Sequence, residues 1–95
     1  MILPSVSIII PTHNEGHDVL DTVDCILRNS GTSMLQLIVV DDGSTDHSAD
    51  ALKRLAIAGK IELFVGNKLG AIGARNKGAE MAKGEIVAFI DAHCY

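Results

Sequence analysis

The sequence has no excess of basic residues: its 8 lysines and arginines are outnumbered by 12 aspartates and glutamates, which leaves a net charge of -4. Nucleic acids and anionic membranes bind basic protein surfaces, so neither is expected as the main partner. No apolar run approaches the length of about 20 residues that a transmembrane helix needs. Residues 1–4 lack the basic start of a signal peptide. We therefore expect a cytoplasmic protein with no integral membrane segment, and peripheral membrane association of the full-length protein stays open.

Cysteine is scarce, and low-complexity segments, internal repeats and linkers are absent. The two cysteines, Cys25 and Cys94, match no zinc-binding spacing. We expect reduced thiols rather than a disulfide. With 95 residues and 47% hydrophobic content, the sequence fits one domain or a part of one.

Apolar runs alternate with amphipathic patterns along the chain. The runs predict strands at 6–10, 35–40, 61–65 and 86–90. The intervening patterns predict three helices, of which the first is capped by Asn14 and the other two run from about 46 to 58 and 72 to 83. This order predicts parallel strands, right-handed crossovers and a three-layer α/β/α sandwich. The expected sheet order is 3-2-1-4.

Polar residues collect where these strands end. In an open parallel sheet, ligands bind beyond the carboxyl ends of strands, near the point where strand order reverses. Asp41 and Asp42 follow the second strand. Asp91 and His93 follow the fourth, whose apolar run is typical of a strand covered on both faces. Such residues ordinarily form turns and caps, but their occurrence after two strands favours a metal-assisted substrate site.

The third helix offers a cation at the same end of the sheet. Its small residues permit close packing on the strands, and Arg75 falls in the predicted first turn. An arginine there can hold a phosphate together with backbone amides, although a surface ion pair is the ordinary alternative. A dinucleotide-binding fingerprint is excluded, since the glycines of this region do not follow the first strand.

Four segments carry a family resemblance. Residues 6–15 read VSIIIPTHNE, residues 40–46 VDDGSTD, residues 73–78 GARNKG and residues 89–93 FIDAH. In this order they resemble the signature of family 2 type inverting glycosyltransferases with the GT-A fold. The resemblance covers the nucleotide-sugar-binding half of such a catalytic domain. It implies metal-assisted transfer of a sugar from a nucleoside-diphosphate sugar, expected to be a UDP-sugar, to an acceptor hydroxyl.

The resemblance also implies roles for individual residues. Asp41 would hydrogen-bond the base, Asp42 would support its loop or the ribose, and Arg75 would approach the diphosphate. The full set implied in nucleotide binding is Pro11, Thr12, His13, Glu15, Asp41, Asp42, Arg75 and Asp91. The general base is expected beyond Tyr95, so residues 1–95 alone, as a domain truncated after the metal motif, should transfer no sugar.

The segment Asp91-Ala92-His93 occupies the place of the Asp-x-Asp motif of the family. It is similar to the Asp-x-His variant of polypeptide N-acetylgalactosaminyltransferases, so Asp91 and His93 would bind a divalent metal. Mn²⁺ is favoured over Mg²⁺, because Mg²⁺ prefers an all-oxygen shell. The ion would stabilise the departing nucleoside diphosphate.

Other functions and one assembly follow from the same residues. A non-catalytic module that binds a nucleotide or a metal remains an alternative. A phosphotransfer receiver is disfavoured, because its acidic pair would follow the first strand. In the predicted order the apolar fourth strand lies at a sheet edge, and such an edge recruits another chain. We therefore expect self-association, with a homodimer formed through residues 86–90.

Overall fold

The computed structural model describes residues 4–29 and 34–92. Strands and helices alternate as predicted, which confirms the α/β class. The elements are β1 (Val6–Thr12), α1 (His17–Asn29), β2 (Met34–Asp41), α2 (His47–Ile57), β3 (Glu62–Val65), α3 (Gly70–Met81) and β4 (Ile86–Phe89). None of the helices in these ranges has both the length and the apolar composition needed to cross a bilayer.

The four strands form one sheet in the order β3-β2-β1-β4, and every pairing is parallel. This confirms the predicted order 3-2-1-4. Helices pack on both faces of the sheet. Successive side chains of a strand point to opposite sides, so neighbouring residues of β1 contact different helices. Ile10 packs with Val19 of α1 and Leu52 of α2, whereas Ile9 packs with Ala74 of α3. The three-layer sandwich is therefore confirmed, with α1 and α2 on one face and α3 on the other.

β1 extends through Pro11 to Thr12, two residues beyond its predicted end. Ile9 O accepts a hydrogen bond from Ile90 N, on the β4 side, at 3.0 Å, whereas Thr12 O accepts one from Asp42 N, on the β2 side, at 2.9 Å. Pro11 shares the side of Ile9, and the pairing with β4 ends at Ile9. The missing N–H of Pro11 thus faces a position that no described strand occupies, so the strand tolerates proline.

The first helix begins later than predicted, at His17, so the assignment of Asn14 as its cap was wrong. Asn14 has φ of +49° and Gly16 has φ of +56°, which bends the chain before the helix starts. The side chain of Asn14 instead accepts a hydrogen bond from Thr45 N at 2.7 Å. The predicted start of the second helix is confirmed, with Asp46 as the N-cap that accepts from Ser48 N.

Two further predictions need correction. α3 begins at Gly70, so Arg75 lies in the second turn and not in the first. β4 is not covered on both faces: Ile86, Val87 and Phe89 are 46%, 39% and 48% exposed. The strand lies at the edge of the sheet, where β1 is its only partner among the described strands. Its apolar run therefore does not indicate burial within the described residues.

Close packing of α3 on the sheet depends on Gly78. A Cβ atom added there would overlap with Cγ2 of Ile9, a fully buried side chain in the middle of β1. The helix axis can therefore approach β1 only because this position has no side chain. This approach brings the first turn and a half of α3 against the carboxyl ends of the strands.

Candidate functional site

A cavity of about 260 Å³ opens at the carboxyl ends of β1 and β2, beside the start of α3. This is the end of the sheet at which the topology predicts a ligand site. Five of the eight residues implied in nucleotide binding line it. The lining consists of Pro11, Thr12, His13, Glu15, Asp42, Gly70, Ala71 and Ala74.

The ring of His13 is held in one orientation by its neighbours. Its Nδ1 lies 2.7 Å from the carbonyl oxygen of Asp42, so Nδ1 carries the proton and donates. Asn14 Oδ1 accepts from Thr45 N, which turns Asn14 Nδ2 toward His13 Nε2 at 3.4 Å. Nε2 is then the acceptor in this contact. Since both nitrogens have protein partners, the part of His13 left for a ligand is its ring face.

The side chain of Asp41 stabilises the turn that follows β2. The side chain is 1% exposed, and its Oδ1 accepts from Ser44 N at 2.9 Å. Its backbone oxygen accepts from Gly66 N at 2.8 Å, and Gly43 has φ of +79°, a conformation that favours glycine. Asp41 does not belong to the cavity lining. Its predicted contact with a base stays a prediction.

Asp42 connects the end of β2 to the start of α3. Its Oδ1 accepts from Leu69 N at 2.7 Å and its Oδ2 from Gly70 N at 3.0 Å. These two N–H groups lie at the start of α3. The sequence analysis predicted that the backbone amides of this helix start bind a phosphate together with Arg75. A carboxylate of the protein already binds them, so a diphosphate would have to use other donors.

The remaining predicted residues lie outside the cavity lining. Arg75 is exposed on the second turn of α3, and Asp91 is exposed after β4. His93 and Cys94 lie outside the described residues. Across 4–29 and 34–92, no three His, Cys, Asp or Glu side chains are grouped so that they could hold a metal ion. Metal binding by Asp91 and His93 therefore stays a prediction.

The hydroxyl of Thr12 is buried, and it is the side-chain polar atom without a hydrogen-bond partner among the buried ones described. Thr12 follows Ile10 by two residues in β1, so strand alternation places both side chains on the face covered by α1. Thr12 nevertheless belongs to the cavity lining.

Asp46 joins the starts of two helices near the same loops. Its carboxylate accepts from Gly16 N at 3.0 Å, from Ser48 N at 3.1 Å and from the Ser48 hydroxyl. The Ser48 hydroxyl is the main cause that lowers the pKa of Asp46; both backbone N–H groups and His47 act in the same direction, and desolvation opposes them. Because the folded-state pKa of Asp46 is depressed, its ionised carboxylate stabilises the folded chain. This stabilisation is present above the unfolded-state pKa and is lost as pH falls through the folded-state pKa.

Several features of the site have no signal in the sequence. Gly70, Ala71 and Ala74 form one wall of the cavity, although the small residues of this helix predicted only packing on the sheet. His17 and His47, the first residues of α1 and α2, bring their ring centroids within 4.6 Å. Contacts between loops about 30 residues apart cannot be recognised from local pattern.

Comparison with known proteins identifies the family. The sequence profile described as Glycosyl transferase family 2 matches residues 7–95. The chain belongs to this family. A curated relative, the uncharacterized glycosyltransferase YibD of Escherichia coli strain K12, is 38% identical over 87 residues, which are 90% of this chain and 25% of the relative. This family 2 chain thus spans about a quarter of that relative's length.

Solved structures confirm the GT-A fold of this family 2 chain. Mannosyltransferase PcManGT from Pyrobaculum calidifontis, in complex with GDP-Man and Mn²⁺, matches with a TM-score of 0.82 at 29% identity, covering 98% of this chain and 28% of that one. GalNAc-T7 with UDP, GalNAc and Mn²⁺ matches with a TM-score of 0.83 at 29% identity, covering 97% and 18%. The two neighbours were solved with nucleotides that carry different bases.

Proposed function

We propose that this family 2 chain forms the donor-binding part of a glycosyltransferase that moves a sugar from a nucleoside-diphosphate sugar to an acceptor hydroxyl. One observation carries the proposal. The cavity at the carboxyl ends of β1 and β2 is lined by five residues that the family resemblance implies in nucleotide binding. The presence of nucleotides with PcManGT and GalNAc-T7 supports the same assignment.

The size of the cavity limits what it can hold. Pockets that enclose whole drug-sized ligands measure roughly 300–1,000 Å³, and this cavity measures about 260 Å³. We therefore assign it to the nucleoside, with the diphosphate and sugar lying outside it. Uridine is the proposed nucleoside. The affinity of residues 1–95 for a free nucleotide should be weak, because little of the ligand is enclosed.

Divalent metal binding is part of the same proposal. Asp91 is exposed just beyond the carboxyl end of β4, where its carboxylate is free to reach a cation. A carboxylate suits Mn²⁺ or Mg²⁺, and a partner imidazole from His93 would favour Mn²⁺. When bound, the ion neutralises charge on the diphosphate leaving group.

Titration calorimetry tests the proposal directly. UDP should bind more tightly in the presence of Mn²⁺ than in its absence, and more tightly than ADP under both conditions. GDP carries guanine, the base of the GDP-Man present with PcManGT, so competition between GDP and UDP tests the choice of uridine. Equal heats of UDP binding with and without Mn²⁺ would contradict metal-dependent binding. Tighter binding of ADP than of UDP would contradict the assignment of the cavity to uridine.

Substitutions of His13 test how the nucleoside is held. If a base stacks on the ring face, His13→Phe should keep the affinity for UDP within about threefold, whereas His13→Ala should lower it about tenfold, as base-aromatic stacking predicts. His47→Ala is the control, since His47 is exposed and does not line the cavity. Equal losses in the Phe and Ala variants would show that a ring nitrogen, not the ring face, matters.

A further inference from the structure

Helix α3 is attached at both ends to polar side chains of the β2 segment. At its start, the two carboxylate oxygens of Asp42 accept from Leu69 N and Gly70 N. At its end, Gln36 Nε2 donates to Met81 O at 3.1 Å, and Gln36 Oε1 accepts from Lys83 N at 2.6 Å. A neighbouring strand therefore supplies the polar partners of this helix.

The start of α3 has no partner of its own that could replace Asp42. The N-cap position is Leu69, which makes no side-chain capping hydrogen bond, and the first turn contains no acidic residue. Helix starts are stabilised by an acceptor for their unpaired N–H groups and by a negative charge near the dipole. The carboxylate of Asp42 provides both from a distant position in the sequence.

Asp42 also holds the segment of β1 and His13 that contributes to the cavity lining. Its carbonyl oxygen accepts from Nδ1 of His13, and its N–H donates to Thr12 O. One residue thus sets the position of the His13 ring and the position of the helix that carries Gly70 and Ala71. All of these groups belong to the cavity lining.

We infer that Asp42 is a positioning residue for the nucleoside cavity, and that its carboxylate acts through α3 and not by contact with the ligand. The inference rests on the proposed function of the cavity. It replaces the ribose contact that the family resemblance left open for this residue. The physical reason is geometric: each carboxylate oxygen is aligned with a backbone N–H of the helix start at 2.7 and 3.0 Å.

Amide hydrogen exchange, measured by NMR on the 95-residue chain, reports the capping without any ligand. Asp42→Asn keeps one acceptor oxygen and loses the charge, whereas Asp42→Ala loses both. Exchange at Leu69 and Gly70 should accelerate about tenfold in the Ala variant, as for the loss of a charge-assisted hydrogen bond, and less in the Asn variant. Exchange at Ile38, buried in the centre of β2, measures the global contribution for comparison.

The affinity for UDP, measured with the same variants, connects the cap to binding. Affinity should fall about threefold in the Asn variant and about tenfold in the Ala variant, in step with the loss of capping hydrogen bonds. Asp24→Asn is the matched control, because Asp24 is an exposed acid on α1 that pairs with Arg28. This control should leave both measurements unchanged.

The outcomes separate the two ideas. Unchanged exchange at Leu69 and Gly70 relative to Ile38 would overturn the positioning role, even if the affinity for UDP fell. Faster exchange with unchanged affinity would overturn it as well, because the cap would then not act on the cavity. Failure of the unsubstituted chain to bind any nucleotide would instead refute the proposed function, and the exchange data would still decide whether Asp42 holds α3.

Discussion

Gly78→Ala should lower the free energy of unfolding by about 2 kcal/mol, the cost of adding a methyl group to a filled contact. The added Cβ would overlap with Cγ2 of Ile9 and would lie 3.2 Å from both Cγ1 and Cδ1 of the same side chain. Ile9 cannot move away from the added methyl group, because it is fully buried and its strand is paired on both sides. The helix would have to move away from the sheet, and the cavity wall that it carries would move with it.

Urea denaturation followed by circular dichroism measures this cost, and the melting temperature should drop by about 10 °C for a chain of this length. Gly73→Ala is the matched control in the same helix. Its Cβ would meet Leu69 Cβ at 3.2 Å and nothing closer, and it gains helix propensity of about 1 kcal/mol. The control should change stability by less than about 1 kcal/mol. An equal loss in both variants would show that the approach of α3 at Gly78 is not the cause.

The architecture could be predicted because it depends on local patterns. Residues 37–40 form a continuous apolar run, and all four prove buried between two helical layers. The helical face at Val19 and Val23 likewise meets the core as its spacing predicts. Gly59 ends α2 with φ of +76°, the conformation for which glycine is favoured. Strand order followed from the alternation of elements and the handedness of crossovers.

The details of the site could not be predicted, because they depend on contacts between distant segments. The partners of Asp42 lie 27 and 28 residues away, so its residue type alone gave no sign that it caps α3. Asn14 looked like a helix cap, but its left-handed backbone turns its side chain toward Thr45 on another loop. The start of α3 involves the long-range cap supplied by Asp42, and the position of Arg75 within the helix follows from that start.

β4 shows why an apolar run alone cannot establish burial. The run was typical of a central strand, yet β4 pairs with β1 alone among the described strands. Its position at the edge was predicted correctly by the strand order. The two predictions were in conflict, since a strand at the edge of this sheet has fewer neighbours than its apolar side chains need. Covering this edge therefore requires a further surface.

The free edge of β4 has the geometry to pair with a second copy of the chain. Ile86 N and Ile90 N donate toward β1, to Ser5 O and Ile9 O at 3.0 Å each. By alternation, the backbone groups of Val87 and Phe89 point away from β1 to the open side. An antiparallel pair of β4 strands related by a two-fold axis at Val87 would join these groups and form a continuous eight-stranded sheet across the dimer, from two sheets of four.

Pairing at this edge also affects the predicted metal ligand. Asp91 is exposed and lies two residues beyond the end of β4. Pairing at this edge would bring the Asp91 of each copy near the interface, so we expect metal binding and self-association to compete.

We therefore expect the chain, of 10.1 kDa, to give about twice that mass in light scattering at high concentration. Val87→Lys should restore the monomer, since a lysine on a strand edge opposes pairing and Val87 is already 39% exposed. Ile57→Lys is the control, because Ile57 is an 88% exposed apolar residue on α2, outside the edge. A monomeric unsubstituted chain would contradict the prediction. Equal dissociation by both lysine variants would instead indicate nonspecific apolar association, in which the backbone edge of β4 has no particular part.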